Sequence, residues 1–156
     1  MVLTNPMSAE ASLLCSVGVR YCSIPIARVI ETMRPLPVAP IPGAPAFVDG
    51  LAIVRGVPLP VVSMLRLMDM QETEEAADAT SRRFVSVRVG DRRAVLAVDS
   101  VLGVRHLPAS STHELPPLLR GAAAGIVAHV GALDAQLLLV LNTISLVPES
   151  LWRSVG

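Results

Sequence analysis

The sequence predicts an all-β protein: two similar small units, each a curled barrel of about five short strands, lying side by side with only minor helical turns. Three observations carry this. Apolar residues alternate or run in short blocks instead of recurring at helical spacing. Ten glycines and thirteen prolines punctuate the 156 residues at close intervals, as tight strand connections require. The two halves of the chain also repeat one order of apolar positions.

The length suits one domain, and a chain of this size buries about 70% of its unfolded surface, so neither disulfides nor metal are needed for folding. Apolar residues make up 52% of the chain but aromatics only 3%, and the mean hydropathy is +0.58. The core is therefore aliphatic. Thirteen Lys and Arg balance thirteen Asp and Glu; without a basic surplus, nucleic acid and anionic membrane are poor partners. The longest apolar stretches, Gly121 to Leu133 and Ala135 to Pro148, are broken by His129, Asp134, Gln136 and Asn142, short of a membrane-spanning helix. Direct membrane insertion is not expected. The N-terminus lacks a basic start before its short apolar patch and carries Glu10, unlike a secretory leader. A cytoplasmic protein is expected, with Cys15 and Cys22 as buried free thiols.

Taken in order, residues 1–11 read as a flexible N-terminus, and a single domain is expected over 12–156. Its first unit covers about 12–70, an acidic linker about 71–81, and the second unit about 82–148. "RPLPVAPIPGAP", Arg34 to Pro45, holds five prolines in twelve residues and is extended, because proline fixes φ and turns its predecessor away from helix. It is either a stiff strand connection or a ligand for a polyproline-binding module. "VDGLAIVRGVPLPVVSML", Val48 to Leu65, reads as two strands meeting at Arg55-Gly56, where glycine supplies positive φ. Pro58 and Pro60 remove donors from one side of the second strand, which points to an edge. Met64, Met68 and Met70 suit core packing under a short helical turn. "FVSVRV", Phe84 to Val89, alternates as a half-buried strand does, while "RAVLAV", Arg93 to Val98, and "QLLLVL", Gln136 to Leu141, suit central strands.

The internal similarity is specific enough to align. "VGVRYCSIPIARVIE" from Val17 lies over "VGDRRAVLAVDSVLG" from Val89 without a gap, at 89 − 17 = 72. "GLAIV" from Gly50 then faces "GIVAH" from Gly125 at 125 − 50 = 75, and "VVSML" from Val61 faces "VLNTI" from Val140 at 140 − 61 = 79. A period this long, seen twice, means duplicated units rather than a solenoid. Two such units placed together leave a groove along their seam.

Two polar residues stand out among apolar neighbours. Arg55 cannot shed its charge, so it either reaches solvent as an ordinary turn residue or is held by carbonyls and a carboxylate. Asp99 is either a lone acid with a perturbed pKa or a strand-end carboxylate accepting backbone N–H bonds. His106, His113 and His129 share no metal-ligand spacing with cysteine or acid. There is no nucleophile elbow and no phosphate loop. No catalysis, metal or cofactor is expected.

The ordered set "ARVIETMRPLPVAPIPGAPAFVDGLAIVRGVPLPVVSML", "GDRRAVLAVDSVLGV" and "LLLVLNTISLV" resembles the CheW-like coupling proteins of bacterial chemotaxis, from about Leu13 to Leu146. Their pattern runs V-x-E, a Pro-containing link, P-x-F-x-x-G-x-x-x-x-R-G-x-x-x-P-V-x-x-L, and later G-x-x-V-D-x-V. The resemblance implies two SH3-like β-barrels. It also implies an adaptor without enzymatic activity that couples a chemoreceptor's cytoplasmic tip to the regulatory domain of a CheA-type histidine kinase, recruited from the cytoplasm to membrane receptor arrays. Val29 and Glu31 occupy the V-x-E positions, Arg55 and Gly56 the R-G positions, and Val98, Asp99 and Val101 the V-D-x-V positions. By the same resemblance Val29, Glu31, Arg55, Val98, Val101 and Val104 lie at or near the receptor groove, and Pro58, Leu59 and Val61 toward the kinase. Ser63 stands where many members carry Asp or Asn, and Arg82-Arg83 and Arg92-Arg93 are unusually basic. The rival readings are a stand-alone peptide-binding β-barrel module, which would ignore a helical hairpin, and a small all-β enzyme or ligand-binding barrel, which needs a deep polar pocket.

Overall fold

The computed structural model describes residues 10–68, 79–107, 112–114, 127–133 and 136–141. The acidic stretch as far as Asp78, Met70, and the end of the expected second unit beyond Leu141 lie outside them. The strands are β1 (Glu10–Val17), β2 (Arg20–Pro25), β3 (Val29–Met33), β4 (Val48–Val54), β5 (Val57–Ser63), β6 (Arg83–Val89), β7 (Arg92–Val98), β8 (Ser100–Leu107), β9 (Thr112–Glu114), β10 (Val127–Leu133) and β11 (Gln136–Leu141). A 3-10 turn at Ile26–Arg28, a one-turn helix α1 (Met64–Leu67) and a 3-10 turn at Ala79–Ser81 complete them. The first strand begins at Glu10 and pairs Glu10 and Ala11 with Leu107 and His106, inside the stretch expected to be a flexible terminus.

Among the described residues these strands form two sheets, one ordered β8-β1-β2-β11-β10-β9 and the other β3-β6-β7-β5-β4. The chain is mainly β, as the periodicity predicts, but the ladders do not close into barrels. Each sheet also takes strands from both sides of the acidic stretch. The first hairpin of each half is exchanged: β1–β2 lie with β8 and β11 of the second half, and β6–β7 with β3 and β5 of the first. A division of the chain at the acidic stretch therefore does not coincide with the division between the sheets. Alternation along a strand tells which residues share a face, but not which distant strand will lie beside it.

The two sheets repeat one pairing scheme. Val29↔Val87 and Glu31↔Ser86 in one match Val101↔Cys15 and Gly103↔Leu14 in the other, at the offset of 101 − 29 = 72. The parallel pair Val61↔Val95 matches Val140↔Ser23. The hairpin β4–β5 matches β10–β11 at a single offset, 127 − 48 = 79 and 136 − 57 = 79, with bulges at Val48/Gly50 and Val127/His129. This corrects the offset of 75 read for "GLAIV": the extra residues precede β10. In so aliphatic a chain, matching apolar letters can settle on a neighbouring apolar run, whereas the shared pairing pattern fixes the register.

The core has two parts. One cluster lies between the sheets, joining Leu13, Cys15, Val17, Cys22 and Ile24 of the first to Val62, Val85, Val87, Leu96 and Val98 of the second, with Met64 of α1. The other lies on the far face of the five-stranded sheet and holds Ala52, Val54, Leu59, Val61, Phe84 and Val95, covered by Met33, Leu36 and Val38. β6 is thus buried on both faces from Phe84 to Val87, not half-buried. The hydroxyl of Ser86 in this run donates to the Glu31 carbonyl at 3.4 Å.

The proline-rich segment is a sheet connection. Ala39 exchanges both backbone hydrogen bonds with Leu51, at 2.8 and 2.9 Å, and so covers the outer edge of β4. Gly50 makes this crossing possible, since a Cβ there would stand 2.1 Å from the Ala39 carbonyl oxygen. β5 lies between β4 and β7 rather than at an edge, and its ladder with β7 spans only Val61 to Ser63. From the Val54↔Val57 pair beside the turn, alternation puts Pro58 and Pro60 at non-hydrogen-bonded positions toward β4. Their missing donors face the stretch where β7 is not yet paired.

Candidate functional site

The candidate residues gather on strands that cross between the sheets. The chain leaves β2 through the 3-10 turn 26–28 and enters β3 in the other sheet; it returns through Asp99 from β7 to β8. Val29 and Val101, at equivalent places on β3 and β8, are half-buried against the inter-sheet cluster. Strict alternation would send Glu31 to the same face as Val29. A bulge between them, with Ile30 unpaired, reverses the alternation and turns Glu31 to the opposite face, over Ser86.

Arg55 and Gly56 form the two-residue turn between β4 and β5, with φ of 49° and 82°. Positive φ at both central positions is the type I′ requirement of a tight hairpin. Arg55 is the one non-glycine residue with positive φ among those described. Its Nε and Nη2 donate to the two carboxylate oxygens of Glu31, each at 2.8 Å. The side chain remains 77% exposed while that of Glu31 is 28% exposed, so the turn residue is both solvated and held. The bond from Arg55 keeps the Glu31 carboxyl below its ordinary range and raises the guanidinium further.

Asp99 is a structural carboxylate. Its Oδ2 accepts the Gly18 N–H at 2.7 Å and its own N–H donates to the Ser16 carbonyl at 3.0 Å, tying the crossing to the β1–β2 turn. Ala27 occupies the equivalent position, 99 − 27 = 72, in the other crossing, which has no such carboxylate. The Ser63 hydroxyl accepts from Arg66 N–H at 3.3 Å and caps α1, the bond an Asp or Asn would make.

The structure separates the remaining expected residues. Val104 and Pro58 are exposed, and Gly56 sits at the exposed turn. Val98 belongs to the inter-sheet cluster, and Leu59 and Val61 to the second cluster. These three side chains are corrected from surface candidates to core, because each lies on a sheet face that packs inward. The sequence reading missed Ile30 and Leu102. Both are the unpaired residues of equivalent bulges, between Val29/Glu31 and Val101/Gly103, and they are 40% and 45% exposed. Their equivalence at an offset of 72 was the available signal. Ile53, which faces Pro58 across the hairpin, is also exposed. No group of three or more His, Cys, Asp and Glu could hold a metal among the described residues, and no helix among them is long and apolar enough to cross a membrane. Cys15 and Cys22 are free and buried.

Comparison with known proteins bears on this geometry. The family model "CheW-like domain" matches residues 11–150. Protein FrzA of Myxococcus xanthus is 33% identical over 153 residues, covering 94% of this chain and 91% of its own. Chemotaxis protein CheW of Treponema pallidum is 26% identical over 127 residues, covering 81% of this chain and 75% of its own. The crystal structure of the scaffolding protein TtCheW from Thermoanaerobacter tengcongensis superposes with a TM-score of 0.73 at 19% identity, over 85% of this chain and 88% of that one; this last likeness concerns the fold.

Proposed function

This chain belongs to the CheW-like domain family, and from that membership we propose that it is a scaffold of chemotaxis-type signalling that couples a chemoreceptor's cytoplasmic tip to the regulatory domain of a CheA-type histidine kinase. Its two curled sheets correspond to the SH3-like units of the family. It works in the cytoplasm, recruited to receptor arrays, and catalyses nothing. Binding both partners raises the kinase's effective concentration at the receptor and holds their relative geometry. Affinities near micromolar, about 8 kcal/mol, suit a reversible assembly.

The observation that carries this reading is the family match over residues 11–150 together with the Glu31–Arg55 pair, whose two residues stand at the V-x-E and R-G positions of the resemblance. The receptor-facing residues are Val29, Ile30, Glu31 and Arg55 from the first half and Val101, Leu102 and Val104 from the second. A helical hairpin supplies the aliphatic side chains that such exposed Ile, Leu and Val match. Pro58 and Gly56, with Ile53, belong to the kinase-facing side. Co-sedimentation of this protein with a receptor tip fragment and the kinase regulatory domain tests the proposal. A ternary pellet that requires all three components is expected. A protein that binds extended proline-rich peptides and ignores both partners would favour the rival peptide-binding module.

A further inference from the structure

The hairpin β6–β7 carries two arginines in direct opposition. Arg88 and Arg93 are cross-strand partners, one step from the Val89↔Arg92 pair that flanks the Gly90-Asp91 turn. Alternation from that pair makes theirs a non-hydrogen-bonded position, where the backbones approach most closely. Both side chains are exposed. Like charges directly opposite weaken a sheet, and nothing in the described surroundings relieves these two. Among the described residues neither guanidinium has an ion pair or hydrogen bond, and Asp91 in the turn has none with them. Glu31, on the same sheet face over Ser86, has both carboxylate oxygens taken by Arg55.

We propose that the Arg88–Arg93 pair is a docking site for an acidic segment of a partner protein, its carboxylates lying across the two guanidiniums. This goes beyond the receptor–kinase reading and does not depend on it. Two arguments select a protein carboxylate over a phosphate-bearing membrane or nucleic acid. The chain has no net charge, so no broad field draws it to a polyanion. The two arginines also share a sheet face with Phe84 and Val95, the face over which Glu31 holds the Arg55 turn, and a face bordered by such a turn favours a narrow chain over a flat bilayer. The same sheet already shows the geometry, in the two-point contact of Arg55 with Glu31.

The test uses the full chain and a synthetic octapeptide of alternating Glu and Val, followed by the arginine Nε–Hε resonances. Shifts at Arg88 and Arg93, a submillimolar Kd at low salt and weakening as salt is raised are expected. Arg88→Gln with Arg93→Gln should weaken binding about tenfold, whereas Arg20→Gln, on the equivalent hairpin β1–β2, should leave it unchanged. Arg88→Glu should abolish binding and raise the thermal midpoint by roughly 1–3 °C, since it converts a repulsive pair into an attractive one. The proposal is overturned if the peptide fails to bind at millimolar concentration, if its Gln counterpart binds equally, if Arg20→Gln costs as much as the double variant, or if anionic vesicles bind through this pair in place of the peptide. A lower midpoint for Arg88→Glu would overturn it too, by showing that the pair carries no repulsion.

Discussion

Glu31 and Arg55 come from opposite edges of the five-stranded sheet and meet through two hydrogen bonds of 2.8 Å. In a flat sheet the edge strands would be roughly 19–20 Å apart, more than a glutamate and an arginine span together. The pair is therefore evidence that the sheet curls, and it pins the β4–β5 turn over the concave face. Exposed ion pairs add little stability; what this one fixes is the position of a surface turn.

Arg55→Glu is expected to weaken receptor coupling sharply in co-sedimentation while leaving the β circular dichroism and thermal midpoint nearly unchanged. The double reversal Glu31→Arg with Arg55→Glu should recover part of the coupling if the pair's geometry is what matters. Because Glu31 is lowered from its ordinary range, its contribution is present above the unfolded carboxylate pKa and is lost as pH falls through the lower folded value. Coupling should accordingly hold at neutral pH and fail only on the acid side of the usual glutamate range.

Gly50→Ala should destabilise the protein by about 2–4 kcal/mol in chemical denaturation. The new Cβ would meet the Ala39 carbonyl at 2.1 Å and the Pro40 Cα at 2.9 Å, at φ +144°. Gly43→Ala has nothing within 4 Å and only a positive φ of 80°, so about 1 kcal/mol is expected there.

Asp99→Ala should cost about 1–3 kcal/mol by orphaning the Gly18 N–H. Amide exchange measured at Gly18 should accelerate, while exchange in β6 changes only with global stability.

Cys15 and Cys22 face each other across β1–β2 inside the inter-sheet cluster. Burial pushes the Cys15 thiol up to about 12 and raises Cys22 as well, with the neighbouring Cys15 adding to it. Alkylation at pH 8 should be slow in the native protein and rapid in denaturant, its native rate following the opening equilibrium. Fast native labelling would contradict the burial.

Fragments 1–73 and 74–156 should each lack cooperative unfolding and should fold when mixed, because β3 is needed by β6 and β8 by β1. Circular dichroism melts of each fragment and of the mixture decide this. A cooperative melt from either fragment alone would contradict the exchange.

Much of the molecule was legible locally. The Arg55-Gly56 turn, the strands of "FVSVRV" and "RAVLAV", the short helical turn at Met64 and the hydrogen-bonded role of Asp99 all follow from residue chemistry over a few positions, and a tight turn or a period-2 run is determined there. The ordered V-x-E, R-G and V-D-x-V spacings likewise carried the family. What the tertiary structure alone decided was which strands became neighbours. The exchange of the hairpins β1–β2 and β6–β7 between the halves, the burial of β6 on both faces and the inward turn of Leu59, Val61 and Val98 depend on a second layer packing where alternation alone leaves a face open. The bulge that parts Val29 from Glu31 belongs with them. A strand's periodicity specifies its two faces, whereas the partners of those faces are set by long-range pairing, whose free energy is gained only when distant segments meet.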